Sequence, residues 1–301
     1  MPLSLTVKKN MAVHNQIILY AQIQRKPLIY KDDTTGEYTQ GNLSATVVSG
    51  QRETGLYTRK TDVLNNIHYF NVPVFTGNPA MIKLMEPIEM GDIVFTKGNL
   101  TTKNIIKSKK CEKCGTEHIK NGTLTFVTPT HIEIVKKGLT MEEGAEKLRF
   151  NNEISDLATI LGTICSPPEI VVDNKRAQVA QFQLAINRKY YIPDDDVENK
   201  TDYPWVKVYG REKVDDVMKR CKVGTVIFVD GFIKVRKYPE LTIKCDNPEC
   251  DGVIKWRDWT VDILAYAVEY CNNWKTDEDI AKERQELLEQ AKESIFNSSE
   301  E

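Results

Sequence analysis

The chain has 301 residues, with 41 Lys and Arg against 43 Asp and Glu, a net charge of −2 and 41% apolar residues. That length suggests about two domains, and the apolar content excludes general disorder. No run of about 18 apolar residues and no signal-peptide core occurs, which points to a cytoplasmic chain without a membrane span. The charge is unevenly spread. Residues 1–150 carry 20 Lys and Arg against 14 Asp and Glu, residues 151–275 carry 18 against 20, and residues 276–301 carry 3 against 9. An acidic end masks a basic front half, and attraction to phosphates depends on local charge.

In chain order, Gln16 to Ile23 is an apolar strand, followed by a turn signal at Asp32-Asp33-Thr34-Thr35-Gly36. We read this pair as an extra strand or hairpin on a first barrel. Short strands follow at Leu43–Val47, Val72–Phe75 and Gly91–Phe95, and again at Leu157–Leu161, Phe182–Ile186, Val206–Tyr209 and Thr225–Val235. A helix with Val214, Val217 and Met218 on one face is expected over Glu212–Arg220, and a last helix over Thr276–Phe296.

These elements repeat. Val72 to Phe75 matches Val206 to Tyr209, Gly91 to Phe95 matches Gly224 to Phe228, Gly98 matches Gly231, and Cys111 matches Cys245, at separations of 133 or 134 residues. Leu43–Val47 matches Leu157–Leu161 at 113, which implies an insertion around the polar stretch Asp194–Asp202 of the second copy. Three strands, one helix and two further strands make the order of an oligonucleotide/oligosaccharide-binding (OB) barrel. The expected fold is therefore mainly β, with two tandem OB barrels and a C-terminal helix. The expected domains are 1–138, a linker at 139–152, a second barrel at 153–275, and an acidic tail at 276–301.

Seven cysteines in a reducing compartment are read as metal ligands before disulfides. Cys111 and Cys114, then Cys245 and Cys250, stand at the same place in each copy, and each pair has the spacing of half a tetrahedral zinc site. One structural Zn²⁺ shared by all four is the sharpest reading. A site local to the first copy, with His118 or His131, is the rival, and hairpin turns without metal are the plain alternative. Cys165, Cys221 and Cys271 are expected in cores.

No P-loop, Gly-x-Ser-x-Gly or His-Glu-x-x-His occurs, and the four histidines have no catalytic spacing. The acidic groups Asp194–Asp196 and Asp215-Asp216 read as solvated surface, so an enzyme is not expected.

The second copy resembles the bacterial and phage single-stranded DNA-binding protein family. The resemblance is carried by Gln181 to Arg188, Thr201 to Arg211 and Gly231 to Tyr238. It implies sequence-nonspecific binding and protection of single-stranded DNA in replication, recombination or repair, near the nucleoid. The family's stacking positions fall on Tyr203, Tyr209 and Tyr238. Arg188, Lys207, Lys234, Arg236 and Lys237 accompany them as a phosphate track. The repeat carries the pattern to Phe75, Lys103 and Lys107 in the first copy. Phe95, Phe182, Phe228 and Trp259 are assigned to cores. The acidic tail suggests replication or repair proteins as partners, although it lacks the family's Pro-Phe ending, and a homodimer is compatible with the double barrel. The alternative is an OB-fold interaction adaptor of a replication or conjugation machine.

Overall fold

The computed structural model describes residues 14–49, 68–175, 177–188, 201–272, 275 and 277–298. Alternation sets the first strand. In β1 (His14–Ile23) the side chains of Ile17, Leu19, Ala21 and Ile23 are fully buried, the period of two expected when one face meets a core. A short β2 (Leu28–Lys31) forms a hairpin with β3 (Tyr38–Ser49), and the turn is held by Asp32, whose Oδ1 accepts from Thr34 N and Thr35 N. Then come β4 (His68–Thr76) and helix α1 (Pro79–Met85), which buries Ile82 and Met85. The long strands β5 (Ile93–Lys110) and β6 (Glu117–Lys136) complete the repeat.

Five of these strands close a barrel, in the order β1, β3, β4, β6, β5 and back to β1. The β4–β6 contact is the one parallel pairing in it. Next are α2 (Met141–Phe150), opened by a capping box between Thr140 and Glu143, and the single turn α3 (Asn152–Ser155).

The second repeat copies this plan. Its elements are β7 (Asp156–Ile164), β8 (Glu169–Asp173), β9 (Gln178–Asn187), β10 (Thr201–Asp202), β11 (Trp205–Tyr209), α4 (Arg211–Arg220) and β12 (Val226–Lys237). A separate hairpin of β13 (Leu241–Lys244) and β14 (Val253–Trp256) precedes β15 (Trp259–Asn272). Strands β7, β9, β11, β15 and β12 close the second barrel, again with one parallel pair, β11–β15. The chain ends in α5 (Asp277–Ser298).

The two fourth strands share one irregularity. Both β5 and β12 shift register, just before Gly98 and Gly231 respectively. At each point the partner strand comes so close that a Cβ would meet a carbonyl oxygen, Thr128 O at 2.4 Å or Leu264 O at 2.2 Å. Only glycine fits such a bulge, which explains the match of the two residues in the repeat.

Two expectations are corrected by the pairing. The strand at Gln16–Ile23 is not an addition to the barrel, because β1 is its first strand, hydrogen-bonded to both β3 and β5. The counterpart of β1 is β7, and the counterpart of β3 is β9. Ala45, opposite Val72, takes the place of Phe182, opposite Val206. Leu43–Val47 and Leu157–Leu161 are therefore not equivalent, and the insertion inferred from their separation disappears. Both segments are short β-rich alternations, and period alone cannot distinguish two such strands. Asp194–Asp196 lies outside the described residues.

The repeats are joined edge to edge. Strand β1 pairs antiparallel with β7, Ile17 facing Ala158 and Gln16 facing Thr159, so a local two-fold relates the barrels and a continuous sheet runs through both. The apolar cluster likewise extends from Ile17, Leu43 and Val72 to Ile160, Phe182 and Val206. Among the described residues no helix is long and apolar enough to cross a membrane.

Candidate nucleic-acid interface and cysteine cluster

The three tyrosines singled out from the sequence are solvent-accessible: Tyr203, Tyr209 and Tyr238 are 46%, 37% and 49% exposed. Tyr209 ends β11 because Val206 and Val208 occupy the inward positions. Lys234 Nζ stands 5.9 Å from the Tyr209 ring centroid, an aromatic face with a cation on it. In the first repeat Phe75 occupies the place of Tyr209 at the end of the corresponding strand. It is half-buried edge-on against Phe126, with ring centroids 5.1 Å apart. Lys103 and Lys237 are exposed.

Two of the expected phosphate-track cations are buried instead, which corrects their assignment. Lys207 is 6% exposed and its Nζ lies 3.0 Å from Asp262, which also pairs with Arg236. Arg188 is held by both oxygens of Asp202, each at 2.7 Å. Asp202 in turn accepts from Thr102 N of the first repeat at 2.7 Å, and Thr102 Oγ1 accepts from Tyr203 N. Desolvated, neutralised cations of this kind serve the fold and not a solvent-borne phosphate. Lys107 differs: it is partly exposed and shares the one carboxylate of Asp258 with Lys120, at 2.8 and 2.6 Å. Sequence position placed these side chains on the correct strands, but it carried no information about which carboxylates face them.

The core assignments also change. Phe182 is fully buried, but Phe95 and Phe228 are half-buried, because their neighbours Val94, Ile227 and Val229 take the inward positions. Trp259 is 37% exposed. Of the other cysteines, only Cys221 is buried, where desolvation pushes its thiol up to about 12. Asp216 is bound to Arg220 and to the Tyr270 hydroxyl, so Asp215-Asp216 builds no metal pair on α4.

The four cysteines Cys111, Cys114, Cys245 and Cys250 meet between the repeats. Their sulfur atoms all lie within 4.8 Å of one another, with Cys114–Cys245 at 3.5 Å and Cys111–Cys250 at 3.9 Å. Four thiolates around one Zn²⁺ at about 2.3 Å are about 3.8 Å apart, so the donor set has the size of a tetrahedral site. Two tight turns make it. Gly115 N donates to Cys111 O in the first, and Cys245 N donates to Gly252 O in the second. Gly252 is the cradle: a Cβ there would stand 2.8 Å from Cys111 Sγ and 3.0 Å from Cys250 Sγ.

Electrostatics also suit a cation. A hydrogen bond from Thr116 brings the Cys114 thiol down to about 6, close to a thiolate at neutral pH. At Cys245 a backbone hydrogen bond from Asn247 also favours the thiolate, but burial and the neighbouring thiols outweigh it and raise the group. Four sulfurs this close cannot all ionise without a counter-charge. His118 Nε2 lies 3.3 Å from Cys245 Sγ, and its Nδ1 lies 2.9 Å from Asp246, so this buried ring supports a sulfur ligand from outside the four. His131 is remote, beside Phe95 and Glu133, which removes it from the rival local site. The four cysteines could hold a metal ion.

Residues 157–242 match the model of the Single-strand binding protein family. Among solved structures, the wild-type single-stranded DNA binding protein from Thermus aquaticus superposes with a TM-score of 0.54 at 13% identity, over 89% of this chain and 97% of that one. A deletion mutant of the Thermus aquaticus protein gives a TM-score of 0.52 at 14% identity, over 89% and 100%. At these identities the likeness concerns the fold, and it extends over both barrels. No curated protein sequence matches the chain.

Proposed function

From a second barrel that matches the single-strand binding family, we infer that this protein binds single-stranded DNA without strong base preference. The observation that carries the reading is the coincidence of that match with three exposed tyrosines on the matched barrel. Tyr203, Tyr209 and Tyr238 stack on unpaired bases, each contributing about 1–3 kcal/mol. Lys234, Lys237 and Lys103 supply accessible charge for phosphates, while Arg236 contributes the part of its side chain that Asp262 leaves exposed. Phe75 offers the matching aromatic on the first barrel. The two repeats, 1–138 and 153–275, act as one binding body in replication, recombination or repair, in the cytoplasm at the nucleoid.

The cysteine cluster takes a structural Zn²⁺. When bound, that ion supplies charge and geometry and no activated water, because four sulfurs fill a tetrahedral shell. Native mass spectrometry of freshly purified, unchelated protein should find one zinc per chain, and zinc-free protein would remove this part of the reading.

Titration with oligo-dT, followed by tyrosine and tryptophan fluorescence, tests binding. Sub-micromolar affinity that weakens steeply as salt rises is expected. Absence of binding at low salt would overturn the function. Replacing Tyr203, Tyr209 and Tyr238 together with alanine should weaken binding by at least about 100-fold while the melting curve is retained.

A further inference from the structure

The junction between the repeats contains a cleft of about 380 Å³, within the range of about 300–1,000 Å³ typical of small-ligand sites. Its walls come from both copies. The β5–β6 arm of the first contributes Lys107 and Lys120 to Thr123, and the second contributes Tyr238, Trp256, Asp258 and Trp259. Neither barrel alone contains it, and the cysteine cluster stands at the far end of the same arm.

The chemistry of the walls is specific. Tyr238 and Trp259 line the cleft from the two strands that meet there, where Tyr238 N donates to Asp258 O and Trp259 pairs with Lys237. Both rings are exposed, at 49% and 37%, which leaves their faces open to a ligand. Trp256 is buried behind them, with Lys120 Nζ 5.9 Å from its ring centroid. Two lysines share the single carboxylate of Asp258, which leaves the group with one net positive charge. Asn121 and Thr123 offer exposed polar side chains on the same rim. Open aromatic faces, polar groups and one spare cation match a flat heteroaromatic ring bonded to a phosphodiester.

We propose that this cleft takes one unpaired nucleobase of the bound strand, stacked on Trp259 and Tyr238, with an adjoining phosphate at Lys107 and Lys120. The proposal deepens the single-stranded DNA reading and rests on it. The strand then crosses from one barrel to the other at a point built by both. A phosphate there competes with Asp258 for the two lysines, so the site works by exchange of one anion for another.

The test uses the full chain with oligo-dT. Trp259→Ala should weaken binding by about 5- to 100-fold, the range of one stacked base, while Trp259→Phe stays within about 3-fold of wild type. Asp258→Asn, which frees both lysines, should tighten binding and steepen its salt dependence. Photo-cross-linking of the unmodified protein to an oligonucleotide containing 5-iododeoxyuridine avoids any folding defect of the variants. An adduct on Trp259 is expected. Adducts confined to Tyr203, Tyr209 or Tyr238, or unchanged affinity of Trp259→Ala in a protein that otherwise binds, would overturn the cleft and leave the function standing. A wild-type protein that does not bind oligo-dT at low salt would overturn both.

Discussion

At the scale of single residues, charge burial separates function from architecture. Lys207 and Arg188 carry the residue type that a phosphate track requires, yet each is consumed by a carboxylate inside the fold. Asp156 is a sharper case. It is fully buried, accepts from Ile233 N at 2.9 Å, and burial raises its carboxyl to about 8. A carboxyl raised in the folded state binds a proton that the unfolded chain has already released. Its contribution to stability is therefore complete below about pH 4 and is lost as pH rises to about 8. Asp156→Asn keeps the acceptor for Ile233 and removes the titration, so chemical denaturation across pH 4–8 should give a flatter stability profile than wild type. Equal slopes would show that Asp156 is ionised in the folded protein. Gly252→Ala should cost metal, because the added Cβ collides with two sulfurs. Zinc stoichiometry by native mass spectrometry should fall below one per chain.

At the scale of elements, the β5–β6 arm is the distinctive feature. It leaves the first barrel as a long hairpin and lies against β13, β14 and the start of β15. It is tied there by Lys107 and Lys120 to Asp258, by Lys109 to Lys255 O, and by the cysteine cluster. The two lysine–Asp258 pairs are partly buried, and a metal held by the four cysteines would fasten the arm at its tip as well. Chelation should accelerate hydrogen exchange in residues 101–124 and 241–258 while β1 and β7 stay protected. Uniform acceleration across the chain would show that the metal stabilises the barrels themselves. The last helix behaves differently. Ile280, Leu287 and Leu288 recur at helical spacing as expected, but they are 52%, 65% and 56% exposed. These three side chains are left open to solvent, while Glu278 at the start of α5 pairs with Lys219 of α4.

At the scale of the whole molecule, the two repeats share a continuous sheet through β1 and β7 and a common apolar cluster. They should therefore unfold together, with coincident transitions by tryptophan fluorescence and far-ultraviolet circular dichroism. Asp202→Ala removes the carboxylate that faces the largely desolvated Arg188 guanidinium and accepts from Thr102 N, at a cost of about 3–5 kcal/mol. A lower denaturation midpoint is expected, and an unchanged midpoint would mean that water reaches Arg188 in the variant.

By itself, the sequence determined the strand-rich repeat, its matched glycines and the paired cysteines. Each of these is local: period two marks a strand, a bulge accepts only glycine, and a knuckle needs two thiols a few residues apart. What only the tertiary structure decided was partnership between distant segments. Gln16–Ile23 reads as a strand from its alternation, but its place as the first strand of the barrel depends on pairing with β3, β5 and β7. The four cysteines form one cluster because two hairpins from different repeats meet. Trp259 leaves the core because β15 begins at the edge of a cleft that the other repeat completes. Hydrogen bonds, ion pairs and metal coordination act across space, and residue spacing along the chain does not encode which distant group will answer.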